Sequence, residues 1–123
     1  MPAIYQIDAE KSWIEIQLTG EVGIAELRDF HRRMFTDPAY SDDLSGLIDC
    51  REMTNVLNVN ELRGLADMHM ARPGPAWRSK RAVLIATPAQ YGTGRVFMIF
   101  AESSPVQYNL FYNQEAALQW LNE

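Results

Sequence analysis

Arg81 to Ala86 reads RAVLIA, and the five residues after the arginine are apolar without a break. A strand with one face in water alternates polar and apolar side chains. An unbroken apolar strand is covered on both faces, the condition of a strand inside a parallel sheet flanked by helices. That constrains the rest of the chain, because parallel neighbours need a crossover between them and strands must therefore alternate with helices.

The remaining sequence alternates in that way. Ile4, Tyr5 and Ile7 open a short strand. After the polar link Asp8 to Ser12, a second strand carries Trp13, Ile14, Ile16 and Leu18 interleaved with Glu15 and Gln17, which predicts an antiparallel hairpin. Past the break from Gly20 to Gly23 the period becomes helical. Ile24, Leu27, His31, Met34 and Phe35 share a face, and Asp37-Pro38 ends the helix. Leu44, Leu47 and Ile48 lead through Asp49 to Cys50 in a third strand. Asn58 and Glu61 stand as N-cap and N3 of a second helix, with Val59, Leu62, Ala66 and His69 or Met70 on its inward face.

Arg72-Pro73-Gly74-Pro75 interrupts that helix, and a surface loop runs through Trp77 to Lys80 before the RAVLIA strand. Thr87, Pro88 and Gln90 then occupy the N-cap, N1 and N3 positions of a possible helix. The run Val96 to Phe100 is apolar at every position, and its residues alone leave two readings open. Local propensity leans to strand, whereas the start signal at Thr87-Pro88 and the crossover needed before the strand Val106 to Tyr112 favour helix. Asn113 caps a last helix with Glu115 in its first turn and Ala117, Leu118 and Leu121 inward. The expected fold class is α/β, a single mixed, mainly parallel five-stranded sheet with four helices in the order β-β-α-β-α-β-α-β-α. The whole of residues 1–123 is expected to form one domain.

Composition narrows function by exclusion. With 123 residues the chain can bury one apolar core and not two, and 47% hydrophobic with 22% charged residues is a folding composition. A net charge of −5 opposes long-range attraction to polyanions, so no nucleic-acid partner is expected. Residues 1 to 10 lack a basic start with an apolar core, and no apolar run approaches the ~20 residues of a membrane span. Neither export nor membrane insertion is expected. Cys50 is the only cysteine, which forbids an internal disulfide and a multi-thiolate zinc site and suits a reducing cytoplasm.

Leu18-Thr19-Gly20, Ile48-Asp49-Cys50-Arg51, Arg81-Ala82-Val83-Leu84-Ile85, Tyr91-Gly92 with Arg95-Val96-Phe97, and the closing stretch Glu115 to Leu121 follow one another along this order of elements. In that order they resemble the SpoIIAA-like family, similar in fold to STAS domains and the anti-sigma-factor antagonists. Together these stretches span nearly the whole chain. The resemblance implies a helix over 90–102 and a small noncatalytic domain that docks a protein or holds an apolar or lipid-like ligand. The antagonists carry a phosphorylatable serine in an Asp-Ser-Ser/Thr-Gly type of motif. Here the corresponding Met53 to Asn60 has neither serine nor glycine, and Thr54 lies too early, so the phosphoswitch does not transfer.

The candidate site residues are few. Cys50 ends a parallel strand, where reactive groups gather, but it carries no signature of an activated thiolate and reads as a small buried hydrophobe. His31 and His69 fall on apolar faces of different helices, 38 positions apart, with no third ligand of suitable spacing; they read as core histidines, and neither a metal nor a cofactor is expected. Arg72, Arg78, Lys80 and Arg81 surround Trp77 and form a candidate patch for phosphate or an acidic protein surface. Arg51, Thr87 and Asn113 fall at strand ends with Tyr91 and Arg95 nearby, a candidate edge for a ligand or partner, against the plainer reading of caps and surface pairs. Finally, Phe97, Met98 and Phe100 lie in an all-round apolar run that has one face too many for a helix on a sheet, which predicts a homodimer. The function expected is a noncatalytic regulatory or protein-binding module. The second reading is a carrier or sensor of a small apolar ligand in a pocket drawn from Met68, Met70, Trp77, Phe97 and Met98.

Overall fold

The computed structural model describes residues 2–70 and 79–123. Its hairpin pairs β1 (Ala3–Asp8) antiparallel with β2 (Trp13–Gly20), from Ala3 opposite Leu18 to Asp8 opposite Trp13. Ser12 takes a left-handed φ of 51° to close the turn, and the Lys11 amide donates to Asp8 Oδ1 at 3.2 Å. From β2 onward every pairing is parallel, and the sheet runs in simple sequence order through β3 (Ser45–Met53), β4 (Ser79–Leu84) and β5 (Val106–Phe111).

Each parallel step needs a helix, and successive right-handed crossovers in one direction leave the helices on one face. That face carries α1 (Ile24–Thr36), α2 (Val59–Met70) and α3 (Pro88–Phe100). The opposite face is covered by α4 (Gln114–Leu121), whose Ala117, Trp120 and Leu121 pack on Leu47, Ala82 and Leu84. Covering β4 on both sides accounts for the unbroken RAVLIA run, since Ala82 and Leu84 meet α4 while Arg81 and Val83 point to the other helices.

The fold is the one expected, a five-stranded mixed and mostly parallel sheet with four helices, and the 95–100 ambiguity ends as helix. Thr87 caps α3, its Oγ1 accepting from the Gln90 amide at 3.1 Å, and the β4-to-β5 crossover outweighs the strand propensity of the run. The fourth strand sits two residues earlier than expected, at Ser79–Leu84. The Ala86 amide is drawn out of the sheet by Gln90 Oε1 at 2.6 Å, so the cap of α3 sets the strand exit.

Two inward assignments are corrected. Val59, 55% exposed, lies a turn before the buried stripe Leu62, Leu65, Ala66 and His69. Leu118 is also exposed, because the stripe of α4 is 117, 120 and 121. Missed on the inward side were Phe30 and Leu65. Two glycines permit close approach: a Cβ on Gly46 would lie 1.6 Å from the Ile14 carbonyl oxygen, and one on Gly94 would lie 2.6 Å from Leu110 Cδ2. Gly94 thus lets α3 settle onto β5.

Candidate ligand cavity

On the three-helix face, inward positions alternate along each strand: Ile16 and Leu18, Ile48 and Cys50, Arg81 and Val83, Tyr108 and Leu110. Cys50 and Val83 are small, and the helices do not descend to fill the space above them. A cavity of about 140 Å³ is left, roofed by residues such as Phe30 and Met34 of α1, Leu62 and Leu65 of α2, and Phe97 and Met98 of α3. A closed apolar space of about 150 Å³ stays dry and accepts benzene. One side reaches the surface at the link between β3 and α2, where Val56 both lines the cavity and is 49% exposed. Asn55 pins this link by accepting from the Val22 amide and donating to the Val22 carbonyl, both at 2.8 Å.

The other end is polar. Arg81 is wholly buried; its Nε donates to the Leu44 carbonyl at 3.1 Å and its Nη2 to the Tyr40 hydroxyl at 3.1 Å. The Tyr40 hydroxyl in turn donates to Asp42 Oδ1 at 3.0 Å, and the Tyr40 ring lies 5.4 Å from the guanidinium carbon. Among the described residues no group accepts from Nη1. His31 and His69 meet edge to face beside this group, with ring centroids 4.9 Å apart. His31 Nδ1 lies 2.7 Å from the Leu27 carbonyl, which can only accept, so that nitrogen carries the proton. His69 Nδ1 pairs with the Tyr108 hydroxyl at 2.9 Å.

Burial holds the His31 imidazolium below its ordinary pKa, with the Leu27 bond opposing and the Arg81 charge adding. The ring is therefore neutral at pH 7. Tyr108 and Tyr40 are both pushed up, again chiefly by burial. Desolvation, with help from the Asp49 charge, raises the Cys50 thiol to about 12. A thiol so raised is almost entirely protonated at neutral pH and is a poor nucleophile. Gln90 braces the wall beside it, Nε2 donating to the Cys50 carbonyl at 2.8 Å.

The fold has a counterpart among solved structures. A crystal structure of an uncharacterized protein of the DUF3478 family from Shewanella loihica PV-4, described as having a SpoIIAA-like fold, aligns with a TM-score of 0.59 over 97% of this chain and 91% of that one. The fold is SpoIIAA-like. Sequence identity to that protein is 14%, so the likeness is one of architecture. No protein-family model and no curated protein matches the chain.

Within the SpoIIAA-like frame the expected site residues part company. Arg51 lies on the α4 side of β3, its Nε and Nη2 held by the Asp49 carboxylate at 3.0 and 2.9 Å, away from the cavity. Thr87 and Asn113 cap helices, Asn113 Oδ1 accepting from the Ala116 amide at 2.7 Å. Tyr91 and Arg95 do come together on the outer side of α3, Arg95 Nη1 donating to the Tyr91 hydroxyl at 3.2 Å, and Tyr91 stacks on Tyr112 at 6.2 Å. The expected basic patch divides: Lys80 caps the end of α4 through the Trp120 carbonyl at 3.2 Å, Arg81 enters the core, and Arg72, Trp77 and Arg78 lie outside the described residues. Strand pleating sends neighbouring residues to opposite faces, which a reading of the patch as one loop overlooked.

Of the residues assigned to a dimer contact, Phe97 packs in the core, Met98 lines the cavity, and Phe100 lies under the Arg63 guanidinium at 4.6 Å. The outward residue of the run is Ile99, 64% exposed. For the expected pocket, Phe97 and Met98 do line the cavity, Met68 and Met70 do not, and Trp77 lies outside the described residues. Reading by residue type put Arg81 in a surface patch and missed Tyr108 and Asn55. The available signal was an arginine opening a strand otherwise apolar on both faces.

Proposed function

We propose that this chain is a noncatalytic binding protein that carries or senses a small apolar molecule held between the sheet and helices α1 to α3. The observation that carries the reading is the cavity: about 140 Å³ with aliphatic and aromatic walls, reaching the surface at Val56. Protein interiors normally close to crystal-like density, and an apolar hollow of this size loses contact energy unless something occupies it. The noncatalytic part rests on the protonated thiol of Cys50 and on a ring nitrogen of each histidine being engaged in a hydrogen bond. Native mass spectrometry of freshly purified protein tests the proposal. The expected result is a fraction whose mass exceeds one or two 14.1 kDa chains by that of a small molecule, the excess being lost on denaturation; masses that are whole multiples of the chain in every charge state oppose the reading.

The regulatory, protein-binding reading has its own support in Ile99, which leaves an aliphatic side chain in water on α3. A second copy of the chain placed against α3 would cover it, giving the proposed homodimer. No helix among the described residues is long and apolar enough to cross a membrane, and a cytoplasmic location belongs to the same proposal.

A further inference from the structure

The chemical class of the ligand follows from the buried end of the cavity, an inference that rests on reading the cavity as a binding site. We infer that the occupant is a small monocarboxylate with an apolar body, its carboxylate held by Arg81. Arg81, Val83 and Ile85 all line the cavity at successive inward positions of one extended segment, a span of roughly 13 Å at the rise of a strand. In the register with β3, Gly46 faces Arg81 and Ile48 faces Val83, so Cys50 lies toward the Ile85 end, with the exposed link at Val56 following β3. The space therefore leads from an apolar opening to a cationic terminus.

At that terminus the guanidinium has a fixed fork of donors, and an arginine side chain stays protonated in proteins. Nε and Nη2 are engaged, whereas Nη1 is buried and meets no acceptor within hydrogen-bond geometry among the described residues, the Tyr108 hydroxyl being a further polar neighbour of the guanidinium. Among the described residues no carboxylate makes an ion pair with Arg81, and the Asp42 carboxylate connects to it through the Tyr40 hydroxyl on the Nη2 side. Facing the same region are His31 from α1, His69 from α2 and Tyr108 from β5, none of them anionic at neutral pH. Arg81 is the only lysine, arginine, aspartate or glutamate among the described lining residues. A buried cation with a spare donor repels an ammonium ligand and leaves a neutral one without charge complementarity. A carboxylate supplies both the acceptor and the opposite charge.

Isothermal titration calorimetry of the full chain at pH 7 with hexanoate, 1-hexanol and hexylamine tests this, since the three share one chain length and differ at the head. Hexanoate is expected to bind at least tenfold tighter than 1-hexanol, and hexylamine to bind more weakly than either. In Arg81→Met, checked for folding by circular dichroism, hexanoate loses its advantage over 1-hexanol. Should that variant not fold, the wild-type ratio decides by itself. Binding of 1-hexanol equal to or tighter than hexanoate overturns the carboxylate inference and leaves the cavity reading standing. Absence of binding by all three removes both.

Discussion

Val83→Ile asks whether the hollow above β4 is real space. Val83 lines it from a central strand, and isoleucine keeps the β-branch that the strand favours while adding one carbon. At about 24 cal/mol per Å³, a cavity of 140 Å³ represents roughly 3 kcal/mol of packing not realised. One added methyl can recover only part of that, about 0.8 kcal/mol for a buried carbon. In a filled core the same change would force side chains off their rotamers and cost about 1 to 3 kcal/mol, so the two cases differ in sign. Urea unfolding gives the answer directly. With a slope of about 1 to 3 kcal/mol per molar for a small protein, the midpoint should rise by about 0.3 to 0.8 M at unchanged slope. The same substitution should weaken hexanoate binding, because it takes volume from the ligand. A midpoint lowered by the equivalent of 1 kcal/mol or more, again at unchanged slope, would refute the reasoning.

Stability should depend on His31 below about pH 6.5. Its folded pKa is lowered, so the unfolded chain binds the proton more readily; stability is full above about pH 6.5 and falls as the pH drops toward the folded pKa, by at most about 1.4 kcal/mol per pH unit. His31→Leu should flatten that part of the profile, and an unaltered slope would show that His31 does not produce it. Gly46→Ala would place its methyl on the Ile14 carbonyl and force β2 from β3, a loss of about 3 kcal/mol or more that a thermal melt reads as a collapse in Tm; near-wild-type melting contradicts the close approach. For assembly, light scattering should give twice 14.1 kDa for the wild type and 14.1 kDa for Ile99→Asp, and a wild-type monomer at high concentration ends the dimer proposal.

Much of this molecule was legible along the chain. Alternation in β2, the Asn58 and Glu61 capping pair, the Thr87 and Asn113 caps and the unbroken RAVLIA run each report a short-range preference. Such preferences survive into the fold because they are met within a turn or a pleat, and their order along the chain, with the rules for crossovers, is enough to set the α/β architecture. Even so, α3 needed the sheet to choose between helix and strand, as its five apolar residues satisfy either period.

The site was another matter. Arg81 looked like the last member of a basic loop because charge is normally solvated, and only partners 37 and 41 positions away, the Leu44 carbonyl and the Tyr40 hydroxyl, make its burial tolerable. His31 and His69 read as two separate core residues until packing of α1 and α2 on one face brought their rings together. A cavity leaves still less trace, since it is the volume that side chains from every layer fail to fill, and no single position encodes it. Apart from α3, sequence determined which segments are strands and helices because those choices are local; tertiary structure decided α3 and where the charge and the empty space lie, because these depend on groups that meet only after folding.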